Sequence, residues 1–200
     1  MKTIKLGYFL GIVGLIVLAA IYRVSIAGAE SWYHTAPIMA LAFAGSILMG
    51  PRFWWVPLLA FFGSELALLL FAQVPLGAYT LISLGIFFLV ARLGGRLSPR
   101  AGTGTLLGGT MLASLGHYVI MNTWSWAISP LYAPTLAGWW QSQTIGIAGF
   151  PPSFLFLRNA LVADLTWCAL GLAVFLAFRV KLGREAFARL RAEPISATVR

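Results

Sequence analysis

Charge is what this chain has least of. Its 200 residues include only five acidic side chains and 10% charged residues in all, and between Arg100 and Arg158 there is no Asp, Glu, Lys or Arg. Cysteine is nearly absent too. Cys168 stands alone within an apolar run, which excludes an intrachain disulfide and any CxxC metal or redox motif. No HExxH and no Ser-His-Asp order stands in a supporting context, and Gly102, Gly104, Gly108 and Gly109 precede no P-loop lysine. The chain is therefore expected to be non-enzymatic, with no cofactor of its own and no ATP binding by itself.

What fills the space is apolar. With 60% hydrophobic residues and a mean hydropathy of +0.88, a soluble domain would expose far more apolar surface than such domains tolerate. The sequence reads as an all-α integral membrane protein. An ionisable side chain in hydrocarbon costs at least about 2.5 kcal/mol. Glu65, Arg158 and Asp164, the formal charges retained inside apolar spans, therefore mark where polar work is done.

About 20 apolar residues cross a bilayer, and on that rule the chain divides into a six-transmembrane-helix bundle. The predicted spans are residues 5–22, 37–50, 54–72, 76–93, 105–125 and 156–178. The first follows Lys2 and Lys5 as a signal peptide would, but no small-x-small cleavage site comes after Tyr22-Arg23, so it reads as a retained helix. The second is short, bounded by Pro37 and Gly50-Pro51, which suits a segment packed inside the bundle. Residues 1–178 form one membrane domain and 179–200 a basic tail, in which Leu182, Phe187 and Leu190 make an apolar edge suited to a lipid surface. No internal repeat is visible.

Lys and Arg counted loop by loop set the orientation. Twelve of them, from Lys2 and Lys5 through Arg52, Arg92, Arg96 and Arg100 to the tail, fall on one side of a six-span topology, against Arg23 alone on the other. The positive-inside rule then puts both termini in the cytoplasm. This explains the net charge of +9 without nucleic acid, for which there is no recognition motif.

The polar residues of the spans collect at the opposite, external end. Helix 3 runs outward past Glu65, helix 5 carries Tyr118, Asn122 and Trp126 outward at i, i+4 and i+8, and helix 6 begins with Arg158, Asn159 and Asp164. Arg158 and Asp164 lie about 240° apart round the helix, so each seeks a partner on another helix. The simplest pair is Arg158 with Glu65, either as a packing element or as part of a solvent-reached pocket. The neutral loop 126–155 is rich in rings. It is expected to form a short interfacial helix after Thr135, and its Trp126, Tyr132 and Trp140 are candidates for closing over a solute or for an aromatic belt at the headgroups.

Two further stripes carry alternatives. Thr110, Ser114, His117, Met121 and Trp124 share a face of helix 5; a metal site would need more ligands, so His117 is expected to make an interhelical hydrogen bond, with no metal bound. Gly7, Gly11 and Gly14 give helix 1 a smooth face, for docking a partner helix or for packing on helix 6 of the same bundle.

Several segments together carry a resemblance. Thr35-Ala36-Pro37-Ile38-Met39-Ala40-Leu41-Ala42, Val56-Pro57-Leu58-Leu59 with Ser64-Glu65, Asn122-Thr123-Trp124-Ser125-Trp126, Tyr132, Thr135-Leu136-Ala137-Gly138, Phe154, Arg158-Asn159 and Ala163-Asp164-Leu165 cover about residues 30–178. They resemble a bacterial membrane family of transport-related proteins similar to the substrate-binding S components of energy-coupling factor (ECF) vitamin transporters. That family pattern has Asp where this chain has Glu65, which keeps the charge and lengthens the reach. The resemblance implies an S-component-like bundle in the bacterial cytoplasmic (inner) membrane, with a small vitamin-like solute bound near the outer face. It also implies energy from separate ECF transmembrane and ATPase subunits. Its expected solute contacts are Glu65, Asn122, Trp126, Tyr132, Trp140, Arg158, Asn159 and Asp164. Two other classes stay open on the residues: a structural or assembly subunit of a larger membrane complex, and a small intramembrane enzyme using His117, Glu65 and Asp164.

Overall fold

The helices break where the backbone cannot continue one. Gly50, at φ 85°, and Pro51 close the second segment; Pro75 and Gly77 separate the third from the fourth; Pro151 and Pro152 stand directly before the last. The computed structural model describes residues 2–26, 35–98 and 101–192, with side chains described between 6 and 180. Among the described residues there is no strand. The order is α1 (Lys2–Ser25), a π-helical turn (Ala40–Gly45) running into α2 (Ser46–Met49), α3 (Trp55–Phe71), α4 (Ala78–Leu97), α5 (Thr103–Ile128), α6 (Leu136–Gln143) and α7 (Ser153–Ala192).

Three helices are long and apolar enough to cross a membrane: Leu6–Ser25, Ala78–Leu97 and Ser153–Val180. Trp55–Phe71 and Ala40–Met49 are apolar but shorter, and α5 carries Thr105, Thr110, Ser114, His117 and Asn122 along its length. Leu10, Leu18, Leu59, Leu81, Leu89 and Leu112 all stand exposed on the outside of the bundle, an apolar surface that hydrocarbon covers and water does not. The chain is a membrane protein. The last helix, expected to stop near 178, continues to Ala192, so the tail begins as an extension of α7. The side chains of Leu182, Phe187 and Leu190, residues 193–200 and His34 lie outside the described residues.

The π-helical turn sits at the centre, where all six of its residues are buried. Its small side chains admit close neighbours. A Cβ on Gly94 of α4 would fall 2.7 Å from the Phe43 carbonyl oxygen, and Gly109 of α5 lies directly against the Phe43 ring with no room for a Cβ. In lipid, where helices gain nothing from leaving water, such contacts supply the association energy through dispersion. Phe61 of α3 and Phe87 of α4, both fully buried, stack at 4.4 Å beside this centre. Gly7 and Gly11 of α1 face Phe178 and Val174 of α7, so of the two alternatives for that stripe these residues serve the bundle's own packing, while a Cβ on Gly14 would meet no neighbouring group within 4 Å.

Successive segments alternate in direction. Arg23 ends α1, Met39 precedes the π turn, Tyr79 opens α4, Asn122 lies late in α5 and Phe156 early in α7, and all of them border one cavity. At the opposite end, Ser98 Oγ donates to the Ile47 carbonyl at 2.7 Å and Arg92 lies over the Trp54 ring.

Candidate functional site

The cavity has a volume of about 640 Å³ and lies beneath the 129–152 segment, which we term the roof. That is the size of a small-molecule site. Exposed Val74, Tyr79 and Phe150 form its rim, and its wall draws on α1, α3, α4, α5 and α7.

Glu65 finds its partner on α1. Arg23 donates to Glu65 Oε1 at 2.5 Å and to Ser64 Oγ at 2.7 Å, and its guanidinium lies 4.8 Å from the centre of the Phe61 ring. The side chains of Arg23 and Glu65 are only 12% and 7% exposed. Ser64 in turn donates to the Phe61 carbonyl, so its single proton and its lone pairs are both used. The pairing of Glu65 with Arg158 expected from the sequence does not occur. Arg158 is exposed on the far face of α7, where it donates to Asn159 Oδ1 at 3.1 and 3.2 Å. Neither Arg158 nor Asn159 borders the cavity.

Asp164, one and two-thirds turns further along α7, points inward and is 2% exposed. Its Oδ1 accepts from the Ala40 amide at 2.8 Å, at the first residue of the π turn, and its Oδ2 meets the Ser114 hydroxyl at 2.5 Å. The side chain is thus fixed in place between α5 and the start of the π turn by neutral partners.

The remaining polar wall is built on α4 and α5. Ser83 Oγ lies 3.3 Å from His117 Nε2 and 3.6 Å from Met121 Sδ, the interhelical hydrogen bond expected of His117. The Asn122 amide donates to the Tyr118 carbonyl, and the Tyr118 hydroxyl donates to the Gln143 carbonyl of the roof at 2.5 Å. Among the described residues no three His, Cys, Asp or Glu side chains converge as metal ligands would. These groups can bind and orient a solute by charge, hydrogen bond and ring contact.

A family described as "family of unknown function (DUF6580)" matches residues 5–187. The chain belongs to that family. No curated protein and no solved structure matches it.

Of the eight solute contacts expected for this DUF6580 chain, Glu65, Asn122, Tyr132 and Asp164 line the cavity, while Trp126, Trp140, Arg158 and Asn159 do not. Trp126 Nε1 donates to the Ala133 carbonyl, and Trp139 Nε1 to Thr123 Oγ1, both at 2.9 Å. Those two rings fasten the roof to the end of α5. Trp140, next on α6, therefore turns outward and is 63% exposed. Phe150 stands exposed at the rim. Tyr132 is buried beside the wall, and that burial raises its hydroxyl pKa above the ordinary value, with a hydrogen bond to Ser153 pulling the other way.

Sequence reasoning missed Arg23, Ser83 and Tyr79 as wall residues. By sequence Arg23 falls in a loop, because it follows the last apolar residues of the first span, yet α1 runs through it to Ser25. Ser83 and Tyr79 give no signal in sequence beyond being polar atoms in the first turns of an apolar helix.

Proposed function

We propose that this DUF6580 chain is the membrane-embedded solute-binding component of an uptake transporter, similar to an ECF S component. It captures a small vitamin-like solute at the cavity and passes it inward with separate transmembrane and ATPase subunits. In this reading six segments cross the bacterial cytoplasmic membrane, with α2, its π turn, α3 and α5 completing the three longest spans, both termini lie in the cytoplasm, and the roof faces outward. The observation that carries it is the 640 Å³ cavity, in which Glu65, Asn122, Tyr132 and Asp164 converge at the roof end. The alternating direction of the segments and the basic residues at the opposite end agree with that orientation.

Thermal unfolding of the purified protein in detergent against a panel of water-soluble vitamins tests it. A ligand bound only by the folded state at 100 times its Kd adds about 2.7 kcal/mol, a rise of several degrees. Absence of any solute-dependent shift, together with co-purification of a stoichiometric membrane partner, favours a structural or assembly subunit. Exposed Leu136, Trp140 and Ile145 on the roof are the observation for that second reading.

A further inference from the structure

The protein does not satisfy every polar atom that it buries at the cavity wall. Glu65 is 6% exposed; its Oε1 takes Arg23, while its Oε2 makes no hydrogen bond among the described residues. Arg23 gives one N–H to Ser64 and one to Glu65, and its Nε gives none. Among the described residues the buried side-chain polar atoms sealed from solvent without a partner are Trp124 Nε1 and Gln143 Oε1, so Glu65 Oε2 and Arg23 Nε are open to the space beside them. Both residues border the cavity. An open acceptor therefore stands beside an open donor on one ion pair. Asn122 Oδ1 is open in the same way and offers a further acceptor.

A buried carboxylate oxygen without a donor is costly, and the donor must come from what fills the cavity. The pair of Arg23 and Glu65 carries no net charge, so an anion drawn to Arg23 is repelled by Glu65, and a cation drawn to Glu65 is repelled by Arg23. A group that gives an N–H and accepts at a carbonyl oxygen, side by side, meets both open atoms without that conflict. The rings of Tyr79, Tyr132 and Phe150 border the same space and offer faces to a flat body. We propose that the cavity takes uncharged planar amides, lactams or ureides, with the solute N–H on Glu65 Oε2 and its carbonyl on Arg23. This rests on the solute-binding reading and names its substrate class.

Four pyridines of similar shape separate the possibilities. Nicotinamide carries both N–H and carbonyl, 3-acetylpyridine the carbonyl alone, nicotinate a negative charge and 3-(aminomethyl)pyridine a positive one. Their dissociation constants are measured by saturation-transfer NMR titration of the purified protein in detergent.

Nicotinamide is expected to bind at least about tenfold more tightly than each of the others, since each of those leaves an open atom of the pair unmet or repelled. In the double variant Arg23→Met with Glu65→Met, which removes both charges together, nicotinamide and 3-acetylpyridine should bind alike. Tighter binding of nicotinate or of the cation overturns the proposal and leaves the solute-binding reading standing. So does equal binding of nicotinamide and 3-acetylpyridine to the unchanged protein, and so does a preference for nicotinamide that survives in the folded double variant. If the double variant does not fold, the four constants on the unchanged protein still decide. Failure of all four to bind, while a vitamin of the panel raises the unfolding temperature, overturns the substrate class alone; failure of both overturns the solute-binding reading with it.

Discussion

The guanidinium of Arg23 meets the carboxylate of Glu65 at 2.5 Å, joining the last turn of α1 to the second half of α3 beside the cavity. Both groups are nearly buried, and Ser64 and the Phe61 ring take up the rest of the guanidinium. The pair therefore adds polarity to the wall with no net charge, and it ties the end of α1 to α3.

Removing either partner leaves the other charge stranded. Arg23→Met or Glu65→Gln alone is expected to cost about 3–5 kcal/mol, whereas the double substitution costs markedly less, since replacing both members of a buried pair is often close to neutral. Thermal unfolding of the three variants in one detergent measures this. Additive single effects would show that the two side chains do not interact.

Packing about the π turn gives a sharper contrast. A methyl group added at Gly109 meets the Phe43 ring, while one added at Gly116, two turns further along α5, meets nothing within 4 Å. Gly109→Ala should destabilise by about 1–3 kcal/mol, the usual range for overpacking. Gly116→Ala should be neutral or mildly stabilising, because Ala favours helix over Gly by about 1 kcal/mol. Equal effects at the two positions would mean that α5 does not lie against Phe43.

How far these features can be read from sequence depends on whether their cause is local. Glu65 and Asp164 are legible because a buried acid in an apolar helix is costly wherever it sits. Their partners are not, since the choice of Arg23 over Arg158 depends on α1 lying beside α3. The helical period gives only part of it: the roughly 240° between Arg158 and Asp164 keeps them on different faces, but each is expected to find a partner on another helix, and Asp164 does so while Arg158 bonds its own neighbour Asn159. On α6 the same period turns Trp139 to α5 and Trp140 away. The π turn left no local signal at all, because its first amide is satisfied by Asp164, 124 residues later.

The roof is held in place by its own small helix. Thr135 accepts from the Gly138 amide at 3.1 Å as the cap of α6, and Gly138 lies against the Ala133 backbone with no room for a Cβ. Thr135→Ala should lose about 0.5–2 kcal/mol of local stability, and Gly138→Ala should displace the 133–138 turn outright. Hydrogen exchange at the amides of residues 129–146 should accelerate in both variants, more in the second, with the amides of α3 and α4 unchanged. Global acceleration would show that the roof and the bundle unfold as one unit.

The orientation has consequences for everything the cavity is proposed to do, and two exposed positions at opposite ends decide it. Ala137 lies on the roof and Thr103 at the start of α5, and both are exposed. In a Cys168→Ala background, Ala137→Cys should react with a membrane-impermeant maleimide added to intact cells, and Thr103→Cys only after permeabilisation. The basis is the excess of Lys and Arg at the Thr103 end, which retains that side in the cytoplasm. The reverse pattern would turn the mouth of the cavity inward, where it could not collect a solute from outside, and uptake would have to give way to export or to a role in assembly. Labelling of both positions from outside would mean that α5 does not cross the membrane, and the six-span arrangement would fail with it.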